Sequence, residues 1–202
     1  MERILSVAVG LVLMLIGSQV IATGAPGNAT EVPEELLRPL LSQHQQDKHA
    51  LGNSRFIALL NYRQPSWEPR FYIIDPEKRE IVAVYRVAHG KGSDPDHTGF
   101  AEMFGDGEGS HKSSVGLFRT GDVYMSEQDG HGMSLRLEGL SATNASAGDR
   151  NIVIHANHYM ERQFLNTYGM PGRSHGCMVF SASDRDEVID RLAGGALIYA
   201  AR

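Results

Sequence analysis

The chain has 202 residues, with 19 basic and 24 acidic side chains, a net charge of −5 and 42% apolar residues. That length fits one domain with enough apolar material for a core. Mild acidity without a Lys/Arg run argues against a nucleic-acid binder, which needs cations to neutralise phosphates. Cys177 is the only cysteine, which excludes an internal disulfide framework, a Cys-rich zinc knuckle and a CxxC redox pair.

Residues 1–22 read as an address. Ile4–Ala22 is almost wholly apolar and precedes the loop-like Gly24-Ala25-Pro26-Gly27-Asn28. It has the character of a signal peptide cleaved after Ala22, or of a retained membrane anchor, because its length approaches the roughly 20 residues that span a bilayer. Either route exports the protein to the periplasm or cell envelope. The segment 23–53 follows. Within it, Leu36, Leu37, Leu40 and Leu41 predict a short amphipathic helix over Pro33–His49, interrupted or kinked at Pro39.

From residue 54 to 202 the pattern is that of one β-rich domain. Phe56–Tyr62, Phe71–Ile74 and Ile81–Val87 are β-branched and aromatic runs separated by turn residues such as Asp75-Pro76-Glu77. Gly90–His111 is rich in Gly and Asp and longer than an ordinary connection, the mark of a functional loop. Strand-like runs return at Val115–Phe118, Ser134–Leu137, Ile152–His155 and Met178–Phe180. Asp184–Leu192 reads as a helix and Ala196–Ala200 as a last strand. The expected fold class is mainly β with a few helices (α+β), a single sandwich or barrel-like domain.

The densest chemical signal is Ile152-Val153-Ile154-His155, followed after a loop by Arg173-Ser174-His175-Gly176-Cys177. A thiol needs a base or a positive environment to become a nucleophilic thiolate. A histidine at the end of a buried strand is rigidly aimed, as a general base must be. Glycine before the cysteine permits close approach of a carbonyl, and the backbone N–H groups of Gly176 and Cys177 are candidates for an oxyanion hole.

Ser174-His175-Gly176-Cys177, preceded by an Ile-His strand end, resembles the catalytic signature of L,D-transpeptidases of bacterial cell walls. Val87–Gly92, Lys112–Phe118, Gly132–Leu140, Ile152–His155, Gly172–Cys177 and Gly194–Tyr199 resemble, in order, blocks of the murein L,D-transpeptidase catalytic-domain family. The resemblance covers about residues 54 to 200. It implies Cys177 as nucleophile, His155 as base, and Ser174, His175 and Gly176 as the supporting loop. The implied substrate is the tetrapeptide stem of peptidoglycan, with no cofactor. His-Ala at 155–156 stands where the family usually has His-Gly, and Met178-Val179-Phe180 lacks the Arg or Asn that often follows the cysteine. Arg173 is the nearest candidate to supply that function, and His89 with Gly90 is a candidate for part of the substrate cleft.

Two other classes compete. Nine histidines, with His89, Asp94, Asp96 and His97 in one loop, invite a zinc-dependent cell-wall hydrolase. Against it, His155 and His158 leave a strand, where i and i+3 diverge, and no HExxH pair occurs. A domain that keeps the fold and only binds peptidoglycan is the other alternative; the intact Cys–His pair argues for catalysis.

Overall fold

Eight strands form one sheet in a computed structural model that describes residues 32–202. The signal or anchor expected over 1–22, and residues 23–31, lie outside the described residues. The strands are β1 (Ile57–Asn61), β2 (Phe71–Asp75), β3 (Glu80–Tyr85), β4 (Gly116–Met125), β5 (Met133–Gly139), β6 (Val153–Ala156), β7 (Met178–Phe180) and β8 (Leu197–Ala201). Their order across the sheet is β3-β2-β1-β8-β4-β5-β6-β7. The β1–β8 and β6–β7 pairs are parallel, and the remaining neighbours are antiparallel. Three helices accompany the sheet: α1 (Glu34–Asp47), α2 (Arg162–Tyr168) and α3 (Ala182–Leu192). The mainly β fold with a few helices is therefore as expected.

Side chains alternate across a strand, and that alternation assigns each face. Ala58, Leu60, Phe71, Ile73, Ile154, Met178 and Phe180 join Val188, Ile189 and Leu192 of α3 in the main core. On the opposite face, Ile57, Leu59, Tyr72 and Ile74 pack against Leu36, Leu37 and Leu40 of α1. Helix α1 thus covers one face of the sheet over β1, β2 and β8. Leu37 and Leu40 have no exposed surface, so Leu37→Ala or Leu40→Ala should each cost about 2–5 kcal/mol, read by urea unfolding.

Several local expectations shift. The first helix runs through Pro39 without interruption; leucines on both sides of it are held against the sheet, and that packing outweighs the lost backbone bond. The strand expected over Val115–Phe118 extends to Met125, because β4 pairs first with β8 and then with β5 along its length. Helix α2 gave no apolar period, and none of its residues is buried.

At the β6–β7 end of the sheet, the face opposite the main core is covered by a short 3-10 turn, His158–Met160. Val179, Ala88 and Met160 form a small cluster there, with Tyr159 and Cys177 against it. The candidate residues Cys177 and His155 lie on this face.

Candidate active site

Strands β6 and β7 run parallel, with His155 opposite Val179 and Ile154 opposite Met178. Cys177 directly precedes β7. By alternation its side chain shares a face with Val179, hence with His155 on the neighbouring strand. The sequence placed these two residues 22 apart; the parallel pairing makes them diagonal neighbours on one face.

His155 is buried, and its Nδ1 lies 2.8 Å from the Ala156 carbonyl oxygen. A carbonyl only accepts, so Nδ1 carries the proton and donates it, leaving Nε2 with the free lone pair. Burial, followed by the nearby His131 and Arg185, holds His155 down to about 4, against the donation to Ala156. The ring is also clamped from above. His131 stacks on it with ring centroids 3.6 Å apart and planes 18° from parallel. At neutral pH His155 is an uncharged base with a fixed tautomer.

The Cys177 thiol is partly buried and donates to the Asn151 carbonyl at 3.6 Å. Burial pushes its pKa up, while the Val153 backbone N–H and the positive charge of Arg150 pull it down. Burial thus acts on both groups in the direction of the neutral form, the thiol raised and the imidazole lowered.

The turn that presents Cys177 is stapled by Ser174. Its hydroxyl donates to the Cys177 carbonyl at 2.8 Å and accepts from the Gly176 N–H at 3.0 Å. Its own N–H donates to the His89 carbonyl and its carbonyl accepts from Lys91. The Gly176 amide is consequently committed inside the turn and is not the free oxyanion donor that the sequence suggested. Gly176 sits at φ +120°, and a Cβ there would lie 2.8 Å from the Lys112 carbonyl oxygen and 2.9 Å from Ile152 Cδ1. Gly176→Ala should therefore lower the unfolding temperature, since a non-glycine in such a conformation costs on the order of 1–3 kcal/mol. The same variant should misplace Cys177, which its rate of alkylation would report.

The other expected residues divide. His175 is exposed on the same turn, its ring 4.2 Å from that of His111. Arg173 donates to the carbonyls of Asp94 and Pro95, fixing the long loop to the turn before Cys177; its cation is directed there and not at the thiol. His89 is sealed, with its Nδ1 2.9 Å from Arg70 and its Nε2 3.1 Å from Asp94. Because the guanidinium only donates, Nδ1 accepts and Nε2–H donates to the carboxylate. Burial and then Arg70 hold His89 down to about 4, although Asp94 opposes them. Burial raises Asp94, but the Thr98 and Gly99 amides and His89 bring it below the usual carboxylate range. His89 thus ties the loop to the sheet from inside and lines no cleft. Among the described residues, no three His, Cys, Asp or Glu side chains converge as metal ligands would.

Sequence reasoning missed Arg150, Asn151 and His131. Arg150 and Asn151 sit in Gly148-Asp149-Arg150-Asn151, which reads as an ordinary polar turn, and His131 lies in a Gly-flanked one. No local signal marks them; tertiary folding alone brings them to Cys177 and His155.

Residues 28–201 match a sequence model of the L,D-transpeptidase catalytic domain. No curated protein matches the chain. Among solved structures, an L,D-transpeptidase from Mycobacterium smegmatis is similar at 11% identity and a TM-score of 0.43, over 73% of this chain and 59% of that one. The helical cell shape determining protein Pgp2 from Campylobacter jejuni is similar at 15% identity and 0.44, over 80% and 52%. An L,D-transpeptidase from Xylanimonas cellulosilytica is similar at 12% identity and 0.44, over 79% and 69%. The chain thus spans about three fifths of the Mycobacterium smegmatis protein and about half of Pgp2. The family assignment rests on the match over 28–201 and not on these likenesses.

Proposed function

Because the chain belongs to the L,D-transpeptidase catalytic-domain family, we propose that it is a cysteine acyltransferase acting on the tetrapeptide stems of peptidoglycan. Cys177 is the nucleophile and His155 the base. The observation that carries this reading is the parallel β6–β7 pair, which puts both residues on one face, with Nδ1 of His155 committed to the Ala156 carbonyl.

In this mechanism Nε2 of His155 takes the thiol proton as sulfur attacks the carbonyl between the third stem residue and the terminal D-Ala. The tetrahedral intermediate collapses to a thioester, and His155 returns the proton to the departing D-Ala amine. A second stem then offers an amine, which takes the acyl group and forms a 3–3 cross-link; with water instead, the product is a shortened stem. Ser174 keeps the nucleophile turn closed through both steps, and Arg173 and His89 hold the loop beside it. The apolar stretch 4–22 supports export, as signal or anchor, to the envelope where such stems occur.

The test is mass spectrometry of purified disaccharide-tetrapeptide incubated with the full protein. Loss of D-Ala, with or without dimer formation, is the expected result, and it should vanish after alkylation of Cys177. Intact substrate after incubation with folded, thiol-reactive protein would overturn the proposal. Activity that survives alkylation would do so as well.

A further inference from the structure

Resting on the cysteine-enzyme reading, we propose that Arg150 is a positioning residue for the nucleophile: its guanidinium fixes the Gly176–Cys177 turn and supplies the positive field in which the thiolate forms.

The Arg150 side chain is only 5% exposed. A buried guanidinium is tolerated when its donors are satisfied, and here they converge on one loop. Nη1 donates to Ser114 Oγ at 2.7 Å, Asp106 Oδ1 at 3.2 Å and the Gly105 carbonyl at 3.3 Å, and Nη2 donates to the Lys112 carbonyl at 2.7 Å. That same Nη2 and that same carbonyl form the wall against Gly176, at 3.0 and 2.8 Å from where a Cβ would stand. The arginine thus grips the 105–114 loop and presses it onto the residue before the nucleophile.

The next residue completes the device. Asn151 adopts φ +51°, a left-handed conformation that asparagine tolerates better than most side chains. In that turn its carbonyl receives the Cys177 thiol while Arg150 is directed beneath Gly176. Two adjacent residues therefore hold the nucleophile, one through its main chain and one through its charge.

The charge has few rivals. Tyr62 and Tyr159 also interact with Cys177, but burial raises both phenols and keeps them neutral. Arg173 is bound to the Asp94 and Pro95 carbonyls. Lys91 and His111 act on the exposed His175, and His131 stacks on His155. Arg150 is the cation whose pull on Cys177 opposes burial, and Asp106 behind it partly offsets that pull.

The experiment follows the pH dependence of Cys177 alkylation by iodoacetamide in the full-length protein, with no peptidoglycan substrate. It therefore reads the thiol even if the transpeptidase reading fails. Arg150→Met should shift the alkylation midpoint upward by about one pH unit, a roughly tenfold slowing at neutral pH. Arg150→Lys, which keeps the charge, should stay within about threefold of the parent by the same relation. Asp106→Asn should shift the midpoint downward, a direction that loosened packing does not produce. Unfolding temperatures identify variants that have lost the fold. If Arg150→Met does not fold, Arg150→Lys and Asp106→Asn decide. A folded Arg150→Met with an unchanged midpoint, an Arg150→Lys as slow as Arg150→Met, or an upward shift in Asp106→Asn would each overturn the proposal.

Discussion

Cys177→Ala is expected to abolish release of D-Ala from the tetrapeptide while leaving the unfolding temperature nearly unchanged, because the partly buried thiol fills little volume. His155→Ala should follow closely, with a loss on the order of 10²–10⁴-fold in kcat/KM, the range for removal of a general base. His175→Ala should be intermediate, since the ring is exposed on the nucleophile turn but bears no bond to it. His158→Ala should be mild, because His158 opens a short 3-10 turn beyond the end of β6. The parent's pH profile carries the same information. With burial holding His155 down to about 4, the acid limb of kcat/KM should fall near pH 4 and show no inflection at the ordinary histidine value. An acid limb near 6.5, or a greater loss in His158→Ala than in His155→Ala, would remove His155 from the base's role.

Stability should fall steeply between pH 6.5 and pH 4. His89 and His155 are both buried and both held down to about 4. In that interval the unfolded chain binds a proton at each, and the folded protein does not. Unfolded protons in excess mean that stability rises with pH and is lost as pH falls. Each shift is worth about 3 kcal/mol when integrated, and the two together give a slope of up to about 2.7 kcal/mol per pH unit. His131 and His175 are lowered by burial and add in the same direction. Asp184, raised by burial, slopes the other way. Urea unfolding from pH 7 to pH 4 measures the sum, and His89→Gln should flatten the curve by about one proton's share. An unfolding free energy that stays level across the interval would show that neither imidazole is kept neutral by the fold. Below pH 4 the next loss belongs to Asp94, whose lowered carboxyl then accepts a proton and releases the loop that His89 and Thr98 hold.

What the sequence made legible follows the kind of force involved. Strands β1 and β2 announce themselves because burial on both faces demands continuous apolar residues, and the edge strand β3 because its β-branched run is bounded by turn residues. Helix α3 was legible except for its first turn, and there the signal was present: Ser181 accepts from the Asp184 N–H, a cap set by spacing alone. The extension of β4 to Met125 was hidden because Arg119, Asp122, Val123 and Met125 face solvent and Gly121 interrupts the run. The Cys177–His155 pair was legible as a motif, but the reason the two meet, a parallel pairing across a 21-residue connection, was not. Arg150 and His131 had no local signature at all. An arginine in a polar turn is solvent-facing by default, and only a loop more than thirty residues upstream, folded back over it, makes this one buried.

The position of β8 carries a consequence for how the molecule comes into being. Leu197–Ala201 lies in the middle of the sheet, between β1 and β4, yet follows the other seven described strands in chain order. Without it, β1 and β4 share no ladder, and the strands β3-β2-β1 and β4-β5-β6-β7 are tied by bonds outside the named ladders, such as Ala88 N–H to the Val179 carbonyl and Ser174 N–H to the His89 carbonyl. The two sides become one continuous sheet only when β8 inserts between them as a wedge. That wedge pairs in parallel with β1 and antiparallel with β4, closing the longest loop in the topology.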